Sequence, residues 1–190
     1  EYKNFMKKKK SPLISIIMNC HDGERYLKNS ILSILNQDYK NWELIFWDNK
    51  SKDKSKEIVL NFKDKRIKYF RSKNFTTLYK ARNLAISKAK GEYVSFLDTD
   101  DWWSKKKLFK QVELIKKNKS INFIHSNFYV YGQQSKVKKL YSSKKIPNGK
   151  ITQYLLNDYK LGILTVLMKR TFFKKKKFNT KYNIIGDFDY

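Results

Sequence analysis

Acidic residues are in short supply in this chain. Its 190 residues hold 17 Asp and Glu against 43 Lys and Arg, leaving a formal net charge of +26 at pH 7. Cysteine is nearly missing: Cys20 stands alone, so no intrachain disulfide forms and a reducing cytoplasm is the expected compartment. With six glycines in all, a glycine cradle for phosphate is not expected. No apolar run approaches the roughly 20 residues that span a bilayer. Residues 1–12 are basic but lack the apolar stretch of a signal peptide.

What is present points to a packed α/β protein. Hydrophobic residues make up 41% and aromatics 16%, which argues against wholesale disorder despite the charge. The length suits one domain over 1–190, with 1–12 as a basic lead-in. The chain opens at Glu1 and stops at Tyr190 inside what reads as an unfinished element, so a further C-terminal piece is expected. The positive charge has two readings. One is a footprint for an anionic membrane surface or nucleic acid; the other is a lysine-rich habit spread over a solvated surface. The clusters Lys7–Lys10, Lys105–Lys107 and Lys174–Lys177 are the first candidates for the former.

Strand-like and helix-like segments alternate. "LISIIMN" (13–19) and "WELIFWD" (42–48) are continuous apolar runs of buried-strand type. Between them Tyr26, Leu27, Ile31, Ile34 and Leu35 recur at helical spacing, which predicts a helix over 24–36. Ser51 is placed to cap a helix bearing Ile58, Val59 and Phe62. A strand follows over 66–71, then a helix through Ala89 that Gly91 should terminate. A strand over 92–98 leads to a helix capped by Ser104 and running to about Lys117. Residues 121–131 read as one or two strands and the stretch to Gly149 as a polar loop. A helix (151–159) and a strand (163–168) complete the pattern. Such alternation predicts a three-layer α/β/α sandwich on a largely parallel sheet.

In these sheets ligands bind beyond the carboxyl ends of the strands. Polar residues gather there from three strands: Asn19 to Asp22, Asp48 with Asn49, and the acids of "YVSFLDTDDWW" (93–103). The turn "NCHDGE" after the first strand has one glycine, unlike a dinucleotide fingerprint, and no phosphate loop ending in Gly-Lys-Ser/Thr occurs. A metal held by carboxylates is the other common grip on a diphosphate. Hard oxygen ligands suit Mg²⁺ or Mn²⁺. Alone, an Asp-x-Asp pair is weak evidence; at a strand end opposite Asp48 it says more.

These residues carry a resemblance. "SPLISIIMNCHDGERYLKNSILSILNQDYKNWELIFWDNKSKDKS" (11–55) resembles the opening of a family 2 glycosyltransferase with the GT-A fold. "ARNLAISKAKGEYVSFLDTDDWW" (81–103) is similar to the family block in which an Ala-Arg-Asn helix precedes Asp-x-Asp, and "IIGDFDY" (184–190) to the segment with the catalytic base.

The resemblance implies an enzyme that takes a nucleotide-sugar donor, with UDP as the default and GDP or dTDP alternatives. Asn19 and His21 match nucleotide-contacting positions, although the family commonly has Tyr where His21 stands and Asn where Asp22 stands. Asp48 matches the acid that reads the base, assisted by Asn49, and Arg82 an arginine near the nucleotide. Asp98 falls near ribose or metal; Asp100 is the first choice for metal ligand and Asp101 the second. Asp187 matches the general base of an inverting transfer to a glycan or lipid-linked hydroxyl. Trp102 and Trp103 read as wall and core. A non-catalytic GT-A-like binding protein and a basic nucleic-acid-binding protein are the alternative readings; no nucleic-acid module is recognisable.

Overall fold

The computed structural model describes residues 11–144, 146–157, 159 and 161–182. Its first half follows the expected alternation: β1 (Ile14–Cys20), α1 (Glu24–Leu35), β2 (Trp42–Asp48), α2 (Ser55–Asn61), β3 (Ile67–Arg71), α3 (Leu78–Ser87), β4 (Tyr93–Phe96) and α4 (Lys107–Lys117). Then come β5 (Phe123–Ile124), β6 (Tyr129–Tyr131), β7 (Lys138–Leu140), α5 (Thr152–Asn157), a 3₁₀ turn (Ile163–Thr165), β8 (Leu167–Lys169) and α6 (Phe172–Lys175).

Six strands form one sheet in the order β3-β2-β1-β4-β8-β5, with β6 and β7 a separate pair. β1 to β4 run parallel, and β8 runs antiparallel to both β4 and β5. Strand residues alternate between two cores. Ile16, Met18, Leu44 and Phe46 pack with Leu27, Ile31 and Ile34 of α1, Val59 of α2 and Val112 of α4. Ile17, Ile45, Trp47, Val94 and Phe96 pack on the opposite side with Ala81 and Ala85 of α3 and Phe173 of α6. Helices on both faces of a mainly parallel sheet make the three-layer α/β/α arrangement expected of the GT-A fold.

Several local expectations shift. The helix expected after Ser51 starts later, at Ser55, because Ser51 is drawn back: its N–H donates to Asp48 Oδ1 at 2.7 Å. Likewise α4 begins at Lys107, not at a Ser104 cap. α3 ends at Ser87, short of Gly91, whose role is different. A Cβ there would lie 2.6 Å from the Ser15 amide nitrogen and 2.7 Å from Leu13 O, so glycine lets the chain pass against the start of β1. The polar stretch after residue 131 holds β7, which pairs with β6 as a hairpin. The strand expected over 163–168 is split into the 3₁₀ turn and β8.

Near the start of β2, Glu43 is buried. It accepts from Ser15 Oγ (2.7 Å), Lys68 Nζ (2.7 Å) and the Lys90 amide (2.6 Å). Burial pushes its carboxyl up, but the three donors together outweigh burial and hold it below its ordinary value.

Candidate functional site

β1 lies between β2 and β4, and the chain turns in opposite directions from it. This is the switch point where an open parallel sheet leaves a crevice. Asn19 and Asp98 share strand parity with Ile17 and Phe96, so they belong to the face covered by α3. Arg82 of α3 reaches Asp98 there. Its guanidinium is 2% exposed and donates to Asp98 Oδ1 at 3.3 Å, across an ion pair. Asn19 is buried, and its Nδ2 has no hydrogen-bond partner among the described residues. A buried, unused amide donor is costly, and at a strand end it favours a polar ligand.

Asp48 sits differently. It is 0% exposed; one oxygen accepts from the Ser51 amide and the other from the Tyr69 hydroxyl, with Arg71 Nη1 at 3.8 Å. Burial first, and then the Asp48 carboxylate, push the Tyr69 phenol above its ordinary value. Asp48 therefore anchors the turn from behind. Asn49 clamps the loop after β3: its Nδ2 donates to Thr76 O at 2.7 Å, and its Oδ1 accepts from the Thr76 amide at 3.1 Å. That loop carries Phe75, whose ring centroid lies 4.5 Å from that of His21. His21 Nδ1 lies 3.1 Å from Asn49 O. Thus β1, β2 and the loop after β3 build one wall.

The β1–α1 and β2–α2 loops are tied by carboxylates that accept from backbone amides. Asp22, in left-handed backbone at φ 51°, accepts from the Lys52 N–H, while Asp53 accepts from Glu24 N–H. Cys20 lies buried beneath them, and burial raises its thiol above the ordinary value despite its hydrogen bonds with Ser55 and Ser51.

The acid turn forms the facing wall. Ser30 of α1 stands on the helix's buried face, where its hydroxyl lies 2.7 Å from Thr99 O and 2.5 Å from Asp101 O. Asp100 is exposed and Asp101 half-buried. Burial, followed by the charges of Asp98 and Asp100, pushes Asp101 up to about 6. Such a surplus of negative charge suits a hard divalent cation. Among the described residues no three acids, histidines or cysteines form a protein-only cage; an ion shared with a diphosphate needs only one or two carboxylates. The donor set therefore fits Mg²⁺ or Mn²⁺.

Trp103 is buried, donating from Nε1 to Leu164 O at 2.9 Å, with Lys107 Nζ 3.9 Å from its ring centroid. Desolvation lowers that ammonium well below its ordinary value. Trp102 is 52% exposed. It walls an open groove of about 620 Å³ with Asn29, Leu32, Asn36 and Lys105.

The structure thus pairs Arg82 with Asp98, puts Asn19 on the same face of the sheet, sets Asp100 and Asp101 on the adjoining turn, and keeps Asp48 and Asn49 as loop anchors beside His21. Asp187 lies outside the described residues. Ser30, Tyr69, Thr76 and Lys107 were not among the expected site residues. Only Ser30 left a signal, as a polar residue on the apolar stripe of Leu27, Ile31 and Ile34.

Comparison with known proteins agrees with this fold. The chain is 38% identical over 159 residues to the Escherichia coli UDP-Glc:alpha-D-GlcNAc-diphosphoundecaprenol beta-1,3-glucosyltransferase WfgD, covering 84% of this chain and 61% of that protein. It is 41% identical over 170 residues to an uncharacterized glycosyltransferase of Haemophilus influenzae, covering 88% and 66%. The chain therefore spans a little under two thirds of the length of these relatives. The fold matches S. aureus TarS 1-349 in complex with UDP at a TM-score of 0.74 and 20% identity, over 92% of this chain and 52% of that one. It also matches the Pyrobaculum calidifontis mannosyltransferase PcManGT in complex with GDP-Man and Mn²⁺ at 0.67 and 16% identity, over 90% and 49%. The family model described as "Glycosyl transferase family 2" matches residues 15–188, and the chain belongs to that family.

Proposed function

We propose that the protein containing this chain is an inverting, metal-dependent glycosyltransferase that moves a sugar from a UDP-sugar to a hydroxyl of a glycan or lipid-linked acceptor. The observation that carries the reading is what the β1/β4 switch point gathers on one edge: Asn19, whose amide donor has no partner among the described residues, the Arg82–Asp98 pair and the acid turn. Support for UDP comes from the name of the WfgD relative and the UDP complex of TarS. The Mn²⁺ complex of PcManGT supports the metal.

Asn19, His21 and the Arg82–Asp98 pair are the proposed nucleotide-side groups, with Asp48 and Asn49 holding the adjoining loops in place. Asp100 and Asp101 would hold the divalent ion. Bound there, the ion supplies Lewis-acid neutralisation of the departing nucleoside diphosphate. Asp187 takes the proton of the acceptor hydroxyl as that oxygen attacks the anomeric carbon and the bond to the diphosphate oxygen breaks. Direct displacement inverts the anomeric configuration. A lone, buried thiol fits a reducing cytoplasm, and the lysine-rich surface fits work at the inner membrane face.

The test is titration of UDP, with and without Mn²⁺, followed by UDP release from UDP-glucose, UDP-GlcNAc and GDP-mannose. UDP binding with donor turnover that Asp187→Asn abolishes is expected. A chain that neither binds nor turns over any of these nucleotides defeats the proposal.

A further inference from the structure

β6 and β7 are an anomaly in a folded chain. Each strand is three residues long, and both are exposed along their whole length. Two such strands gain little from their own ladder. Yet Tyr129, Val130, Tyr131, Val137, Leu140 and Tyr141 are each between 39% and 57% exposed. Soluble surfaces rarely gather so many large apolar groups without a partner.

Charge says what kind of partner. Residues 114–157 contain no aspartate or glutamate, while lysines recur through them. In the hairpin register Val130 pairs with Lys139 and Tyr131 with Lys138, so a lysine stands on each face of the ribbon. Lysines on both faces disfavour a second copy of the same hairpin as partner. They favour an anionic surface.

The aromatic geometry selects among anionic surfaces. Bases of a single strand need open ring faces on which to stack. Here Phe128 and Tyr141 are stacked on each other at 4.4 Å, and Lys138 Nζ sits 4.2 Å from the Tyr129 ring centroid. The aliphatic Val130, Val137 and Leu140 have nothing to stack. Tyrosines with a polar tip, aliphatic groups and lysines with long apolar stems are what the headgroup boundary of a bilayer accepts.

We infer that the β6–β7 hairpin is a docking element for an anionic lipid surface. The hairpin is tied to the site. Tyr131 lies edge-on to Trp102 at 5.8 Å, one residue beyond Asp101, and Gln133 hydrogen-bonds Tyr26 of α1 at 3.0 Å. Docking therefore brings the acid turn to the headgroup layer, where a lipid-linked acceptor is presented. This last step rests on the proposed transferase reading; the lipid contact does not.

The experiment is sedimentation of the full chain with vesicles of phosphatidylcholine alone and with added phosphatidylglycerol, without nucleotide or acceptor. Binding only to the anionic vesicles is expected. Lys138→Glu with Lys139→Glu should weaken it on the order of tenfold or more. Val130→Ser with Leu140→Ser should leave a residue of binding that high salt removes entirely. UDP titration and thermal melting, run on every variant, report the fold and the nucleotide site separately. Unaltered UDP binding with no vesicle binding overturns the hairpin assignment alone. Vesicle binding that neither pair of substitutions changes also overturns it, as does binding to single-stranded RNA in place of vesicles that the lysine changes remove.

Discussion

The Arg82 guanidinium, inside the protein on α3, donates to the Asp98 carboxylate at the end of β4 at 3.3 Å. The contact ties the helix layer to the first acid of the Asp-x-Asp turn. Tyr79, Phe96 and Phe178 surround the guanidinium, their ring centroids 5.5 to 5.6 Å from its carbon. Arg82→Ala would remove a buried stem and leave Asp98 without this cation. A loss of about 2–4 kcal/mol in denaturant unfolding is expected, with weaker UDP binding in titration. Arg82→Lys keeps the charge but not the planar fork and should recover only part of the affinity.

Ser30 tests how far the turn depends on its support from below. Its hydroxyl lies within hydrogen-bonding distance of two carbonyls, Thr99 O and Asp101 O. Ser30→Ala should cost about 1–3 kcal/mol by chemical denaturation. Metal-dependent nucleotide affinity should fall further than metal-free affinity, because the turn that moves is the one bearing the acids. Equal losses in both would make Ser30 purely structural.

Asp100 and Asp101 are separable from the nucleotide wall. Asp100→Asn and Asp101→Asn should each reduce the thermal shift that Mn²⁺ adds to UDP, while the shift from UDP alone persists. Stripping metal with EDTA should reproduce the Asp100→Asn behaviour in the unsubstituted chain. An undiminished Mn²⁺ effect in both variants would place the ion elsewhere.

Glu43 sets an acid limit on stability. Its folded value lies below the ordinary value of about 4.3, so its contribution is complete above that pH. The contribution disappears as pH falls through the lowered value. Glu43→Gln should therefore melt lower than the parent at pH 7, and the gap should close as pH drops below about 4. A gap independent of pH would assign the effect to packing alone.

Residue pattern alone carried the architecture a long way. Continuous apolar runs in 13–19 and 42–48 read as strands covered on both faces, and Leu27, Ile31 and Ile34 as one helix stripe, and both formed. Acids at successive strand ends pointed to one edge of the sheet, because parallel strands joined by helices bring those ends together. The strand reading over 121–131 included β6, but β7 and its pairing with β6 escaped, because the ribbon's side chains face solvent on both sides and show no buried stripe.

The surroundings of each polar group at these strand ends were decided by tertiary structure. Strand parity sends Asn19 and Asp98 to the α3 face but Asp48 toward Tyr69, so acids alike in sequence differ in burial and partners. Burial and neighbouring charge single out Asp101 within its own turn. Sequence order alone determined which layers form and which edge collects the polar groups, since those depend on local period. Which oxygen is spent inside the fold and which stays open depends on distances between residues far apart in the chain, and only packing sets those.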